Sequence, residues 1–434
     1  MSSVTKLPLT GHPTTPPRTD RTCHQDTSAR PFIDDPWALY RQLHASPGPV
    51  WWSGYGFWCL KEHAAVNAAL RDRRLARLPP PADACSATLP DTPPATPPTW
   101  PPHLSRFAAS ERHSLLALEG RAHTRLRKFV TRAFMSRQVM RLEPGIRRLA
   151  HQRLDALVAG AGADRRADLL AGYAVPIPVT VIARLLGVPD EEIDALRHWS
   201  TAMVKVYTLT QTRAEEDEAE RAAGEFIDRI ERLIAERRLA PRDDLVSHLL
   251  ALRAKPDPLL DAEIVSTAIL LLNAGHEATV HQLGNAVLTL LEPDRPSPAE
   301  LFDTSERTAA SVQELTRFRA PLHLFIRYAQ EPLTLPGGID IGAGERVGLL
   351  LGAANRDPAR FAEPDRFDPT RKDGGSLAFG AGAHYCLGVQ LARLELGCAL
   401  QVLFERMPQL RLSGTPRFAD TFHFHGLERL DVSW

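Results

Sequence analysis

The chain has 434 residues, 44% of them hydrophobic, enough apolar material for a large core and ordinary for a globular protein. Its 52 lysines and arginines equal its 52 aspartates and glutamates, so no overall field directs it to nucleic acid or to an anionic membrane surface. The cysteines (Cys23, Cys59, Cys85, Cys386, Cys398) are too few and too irregularly spaced for a disulfide framework and fit a reducing cytoplasm.

Residues 1–30 are rich in Thr, Pro and Arg, lack an apolar core, and read as a flexible tail rather than a signal peptide or anchor. From Trp37 to Leu78 a short helix is followed by a strand-like aromatic segment, Val50 to Leu60. Ten prolines then fall between Pro79 and Pro102, a density that forbids helix or central strand and predicts a semi-rigid extended loop. Structureless insertions of this length are usually functional.

Helical periodicity dominates next, over about 119–135, 140–159, 175–187, 190–206, 213–238 and 242–252. A last helical stretch, Asp261 to Leu291, is apolar nearly all round and would run about 45 Å, which places it through the middle of the molecule. Short strand-like pieces follow from about 325 to 351, and a hairpin-like segment closes the chain at Trp434. No stretch has transmembrane length. The class is mainly α with a few small β-sheets.

One run carries the chemistry: Phe379-Gly380-Ala381-Gly382-Ala383-His384-Tyr385-Cys386-Leu387-Gly388, just before an amphipathic segment starting near Val389. Glycines allow tight or left-handed backbone and close approach to a flat partner. A thiolate at a helix start is held anionic by the free N–H groups there. Two other segments stand out. Glu314-Leu315-Thr316-Arg317 places a carboxylate and a guanidinium side by side on a helix, and Ala274-Gly275-His276-Glu277-Ala278-Thr279 sits mid-way along the long apolar helix.

Together these segments resemble the signatures of the cytochrome P450 superfamily in its soluble bacterial form, over about Asp35 to Trp434. Leu185-Leu186-Gly187-Val188-Pro189, Asp243-Asp244-Leu245 and Ala354-Asn355-Arg356-Asp357-Pro358 add to the likeness. The resemblance implies a single α-rich domain over 31–434, overriding the roughly three domains that length alone suggests. Residues 79–102 would then contribute to substrate access. It also implies haem b with Cys386 as axial ligand to iron, Phe379 and Gly388 in the cofactor loop, and His123, Arg127, Arg327 and His384 as partners of the propionates. His123 and Arg127, at i and i+4, share one helical face. Glu314 and Arg317, completed by Arg366, would form a buried network holding the cysteine loop.

On the central helix, small residues at Ala274 and Gly275 would admit haem and dioxygen, and Glu277 would feed protons inward. Most relatives carry threonine after this acid; here the position is Ala278. Thr279 lies about 100° further round the helix and should not face the iron. Three readings stay open. A substrate hydroxyl or amide with ordered water replaces the missing group, or the chemistry depends less on that proton relay, or the helix shifts by one residue and Thr279 takes over.

The implied activity is a haem-thiolate monooxygenase of secondary metabolism, inserting one atom of O2 into a small or medium natural-product molecule. Substrate would meet Leu322, His323, Leu324 and Phe325, and the stretch Phe422 to His425. No flavin, nicotinamide or iron–sulfur motif is present, so electrons, ultimately from NAD(P)H, must arrive from outside. A small acidic ferredoxin would dock on the basic side, Arg121 to Arg137. The protein would be cytoplasmic, with no nucleic-acid or membrane partner. The rival readings are an oxidative-coupling or peroxide-driven enzyme on the same fold, and a non-catalytic haem-based binding protein.

Overall fold

The computed structural model describes residues 21–80, 100–134, 139–207, 211–252 and 258–434. Six strands form the largest sheet: β1 (Thr22–Cys23), β2 (Val50–Trp52), β3 (Phe57–Leu60), β4 (Leu75–Ala76), β5 (Leu324–Ala329) and β6 (Arg346–Leu350). Five helices carry the residues of interest: α1 (His63–Arg71), α2 (Gly120–Ala133), α3 (Asp261–Leu290), α4 (Ser305–Phe318) and α5 (Val389–Arg406). The mainly α reading holds, with short strands gathered into four small sheets among the described residues.

The described residues form two compact units, one within 81–138 and 178–277, the other within 11–80, 139–177 and 278–434. In the first, the helix Arg213–Leu239 opens with a capping box. The Thr212 hydroxyl accepts from Glu215 N–H, and the Glu215 carboxylate accepts from Thr212 N–H. Ala219, Ala222, Ala223, Phe226, Ile230 and Leu233 give this helix one buried apolar stripe. Two of the secondary sequence signals meet at its end. Arg237 pairs with Asp244 in a buried contact, and its guanidinium also donates to the Gly187 carbonyl at 2.6 Å. Gly187 has φ +89°, and a Cβ there would overlap the Asp244 carboxylate, so only glycine fits.

The second unit is organised by a six-stranded mixed sheet, in the order β1-β2-β3-β6-β5-β4. Every residue of β2 and β3 is buried, so alternation sends aromatics to both faces. Trp51 and Trp58 pair edge-on, 5.7 Å apart, on the face packed with Leu60, Val347 and Leu349. Trp52 and Phe57 join Tyr40, Leu324 and Phe422 on the other. The aromatic run read as strand-like is therefore a central hairpin of the sheet.

Two boundaries differ from expectation. The segment read as a tail already belongs to the fold at Thr22–Cys23, which pairs parallel to β2, and Arg30 begins a short helix. Residues 1–20 of that tail, and 81–99 of the proline-rich loop, lie outside the described residues. At the C-terminus Arg417–Phe418 and Leu427–Arg429 form the expected hairpin, whereas Asp431–Ser433 leaves it to pair with Arg166–Asp168 and Arg411–Leu412.

Candidate active site

The cysteine run is a tight loop leading into α5. Gly380 and Gly382 take φ of +69° and +70°, where a side chain is strained, and a Cβ on Gly382 would overlap the carbonyl oxygen of Leu70. The loop closes on itself. Cys386 N–H donates to Phe379 O at 2.9 Å, and Tyr385 N–H to Gly382 O at 3.2 Å. Gly388 takes an ordinary φ of −85° as the N-cap of α5, and its carbonyl accepts from Ala392 N–H at 2.9 Å. Cys386 itself is partly exposed, whereas Cys23, Cys59 and Cys398 are buried thiols. Burial pushes Cys59 and Cys398 up, Cys398 to about 11, which makes them poor nucleophiles or ligands.

A buried ionic network anchors this loop. Arg317 forks onto Glu314 with two bonds of 2.7 Å, both side chains almost fully buried. Its other donors reach the carbonyls of Asn355 (2.8 Å) and Pro364 (3.0 Å). The Asn355 side chain accepts from Leu377 N–H at 2.8 Å, and Leu377 O accepts from Gly380 N–H at 2.9 Å. A chain of hydrogen bonds thus runs from α4 into the cysteine loop.

The expected third member is corrected. The Arg366 side chain is exposed and pairs with Glu363, contributing only its main-chain carbonyl to Arg317. Arg371, 8% exposed, approaches Glu314 at 3.5 Å instead and also binds Asp373 at 2.9 Å. Both arginines stand in one proline-punctuated stretch, and nothing in their spacing distinguishes the inward one.

Arg327 is buried in β5, opposite Val347, with its guanidinium 5.5 Å from the Phe325 ring. The edge of Phe325 lies 3.8 Å from where a Gly380 Cβ would be, so β5 and the cysteine loop share one locality. Phe379 is capped by Arg393 of α5 at 5.4 Å. His384 closes the short turn Gly382–His384 and is partly buried. Of the four residues expected to meet substrate, Leu322 and Phe325 keep open surface, whereas His323 and Leu324 are core. His323 Nε2 donates to Ala320 O at 3.1 Å, so its Nδ1 accepts from the Tyr40 hydroxyl at 2.8 Å. Both nitrogens are used. Burial, and then the neighbouring His425 ring, hold this imidazole well below its ordinary range.

In the other unit, His123 is buried and Arg127 half-buried along α2, while Arg121, Lys128 and Arg132 are exposed. Arg125 is withdrawn from that basic face: it binds Glu263 at 2.6 Å and Pro258 O at 2.9 Å. Arg137 lies outside the described residues. On α3, Ala274 is exposed although Asn273 and His276 beside it are buried. At Gly275 a Cβ would lie 2.7 Å from Ile182 Cδ1, so Ile182 packs close against the bare backbone there. Glu277 and Ala278 are partly open and Thr279 is buried. The helix is α-helical without a break through all three, with no bulge that would turn Thr279 into the direction of Ala278.

This donor set fits an iron porphyrin. Among the described residues no group of three or more His, Cys, Asp or Glu is placed to hold a metal ion. Buried Arg327, the Phe325 and Phe379 rings and the two strained glycines give such a flat, anionic group a charge partner and a close approach.

The cytochrome P450 family profile matches residues 305–408. The mycinamicin IV hydroxylase/epoxidase of Micromonospora griseorubida is 40% identical, over 74% of this chain and 79% of its own. The nocardicin C N-oxygenase of Nocardia uniformis subsp. tsuyamanensis is 39% identical, over 90% of this chain and 94% of its own. Among solved structures, P450BioI in complex with an acyl carrier protein ligated to hexadec-9Z-enoic acid superposes with TM-score 0.81 at 31% identity, covering 93% of this chain and all of that one.

Proposed function

The chain belongs to the cytochrome P450 family and is a monooxygenase of that class, and we propose that its substrate is a natural product carrying a polar group near the carbon that is oxidised. The observation that carries the monooxygenase class is the loop that presents Cys386, held by the Arg317–Asn355–Leu377 chain of hydrogen bonds, and the polar group on the substrate is argued from Ala278. Relatives that act on mycinamicin IV and nocardicin C support the substrate class.

Cys386 would ligate the iron, and Arg327, His384, His123 and Arg127 would neutralise the propionates, with Phe379 and Gly388 lining the cofactor loop. When bound, the haem supplies dioxygen activation, which a thiolate ligand favours by donating electron density to iron. The chain's own part is positioning and proton supply. The Glu277 carboxylate, partly open on α3, hands protons inward, while Gly275 and Ala278 beside it have no hydroxyl to relay them. A substrate hydroxyl or amide beside Ala278 would fill that gap, with ordered water completing the relay. Leu322 and Phe325 would orient the substrate.

Electrons, ultimately from NAD(P)H, would come through an acidic ferredoxin on the exposed cations Arg121, Lys128 and Arg132. No described helix is long and apolar enough to cross a membrane, which fits a cytoplasmic place of action.

The missing hydroxyl at Ala278 also favours a second reading, oxidative coupling or peroxide-driven chemistry at the same site. Isotopically labelled dioxygen separates the two. Label in the product supports the monooxygenase reaction; unlabelled product formed equally well from peroxide overturns it.

A further inference from the structure

A cavity of about 510 Å³ opens beside the cysteine loop, walled by α1, α4, the start of α5, and the stretch from Gly375 to Ala381. Its size is that of a small-molecule site, and the charged side chains in its walls are of one sign. Arg71, Arg360 and Arg393 line it, with His63, and among the described residues no carboxylate does. The acids that stand beside lining residues in the chain are already committed. Glu314 is held by Arg317 and Arg371, Asp373 by Arg371, and Asp357 accepts from His63 N–H at 2.8 Å.

Each guanidinium is positioned by a neutral group. Arg71 Nε donates to Asn67 Oδ1 at 3.1 Å, Arg360 Nη2 to Gly374 O at 2.5 Å, and Arg393 stacks on Phe379. The Arg393 Nε is buried and has no hydrogen-bond partner among the described residues. Three forked donors around one polar hollow match the oxygens of carboxylates or phosphates.

We infer that this hollow is a binding site for a compact multivalent anion, a di- or tricarboxylate or a phosphate ester. Such an anion would engage Arg71, Arg360 and Arg393 together. It would also bear on the cysteine loop, because Arg393 caps Phe379, whose carbonyl accepts from Cys386 N–H at 2.9 Å. The inference does not rest on the oxygenase reading, since binding can be measured without turnover.

The test is titration calorimetry of the haem-loaded protein with citrate and, separately, with pyrophosphate, at ionic strength fixed with sodium chloride. The expected result is one bound anion per chain for at least one probe, with affinity falling about tenfold in Arg71→Gln and in Arg393→Gln. Arg238→Gln, an exposed arginine paired with Asp261 elsewhere, should bind like the parent. A response to citrate alone assigns carboxylates, and to pyrophosphate alone phosphates. Absence of binding by either probe, or unchanged affinity in Arg71→Gln, overturns the site. Arg71 is exposed on α1, so that variant remains informative if Arg393→Gln fails to fold.

Discussion

Arg317 donates to the main-chain carbonyl of Asn355 at 2.8 Å, deep in the second unit. The same asparagine holds Leu377 N–H through its side chain, so one residue couples the ion pair of α4 to the loop bearing Cys386. The family signature Glu-x-x-Arg therefore acts here as a strut whose far end is the ligand loop.

Breaking that strut should cost the cofactor as well as stability. Arg317→Ala leaves Glu314 buried beside fewer cations, a change worth about 3–5 kcal/mol. The expected outcome is protein purified without haem and with a lowered unfolding midpoint. Arg371→Ala should go the same way in milder form. Arg366→Ala removes only an exposed pair and should stay within about 0.5 kcal/mol of the parent. Haem content and thermal unfolding of the three variants check this order.

The loop glycines should separate by backbone demand. Gly382→Ala meets both a left-handed φ and the Leu70 carbonyl, so it should prevent the loop from closing and abolish haem uptake. Gly388→Ala meets nothing within 4 Å and has an ordinary φ. Its fold should be unaffected, and any loss of haem from that variant would report a contact with the cofactor itself.

The buried histidines make stability depend on pH. His425 is brought down to about 3, first by burial, and His323 is lowered in the same direction. Their neutral forms are favoured when folded, so the stabilisation is complete above the unfolded pKa near 6.5 and is lost as pH falls below it. Each contributes a slope of about 1.4 kcal/mol per pH unit. Urea unfolding between pH 7.5 and 5.5, as approximate bounds set by that pKa, should show the loss. His425→Gln keeps a donor for Ile33 O and should flatten the slope by one histidine's share.

Restoring the hydroxyl on α3 tests proton delivery. Ala278→Thr should improve coupling of electron input to product for substrates lacking a polar group near the reacting carbon, and leave well-coupled substrates unchanged. Unaltered coupling across the whole panel would remove support for substrate-assisted delivery.

Long periodic elements and the cysteine run were readable without coordinates. The expected 261–291 helix is Asp261–Leu290, and 213–238 is Arg213–Leu239, because an apolar stripe of that length has few alternatives. Residues whose role depends on side-chain direction were not readable. Arg366 and Arg371 both follow Pro364, and only packing shows that the second turns inward. His323 sat in a stretch assigned to substrate, but its partners Tyr40 and Ala320 come from a helix far away in sequence and from a turn just before it. The close packing of Ile182 on Gly275 is likewise a contact that no local pattern encodes.

The central claim is that Cys386 presents a thiolate to haem iron. The most direct measurement is the absorption spectrum of the reduced, carbon monoxide-bound protein, compared with Cys386→His. The account predicts the red-shifted Soret band of thiolate ligation in the parent and its loss in the variant. A parent without that band while haem is bound, or a variant that keeps it, would contradict the account.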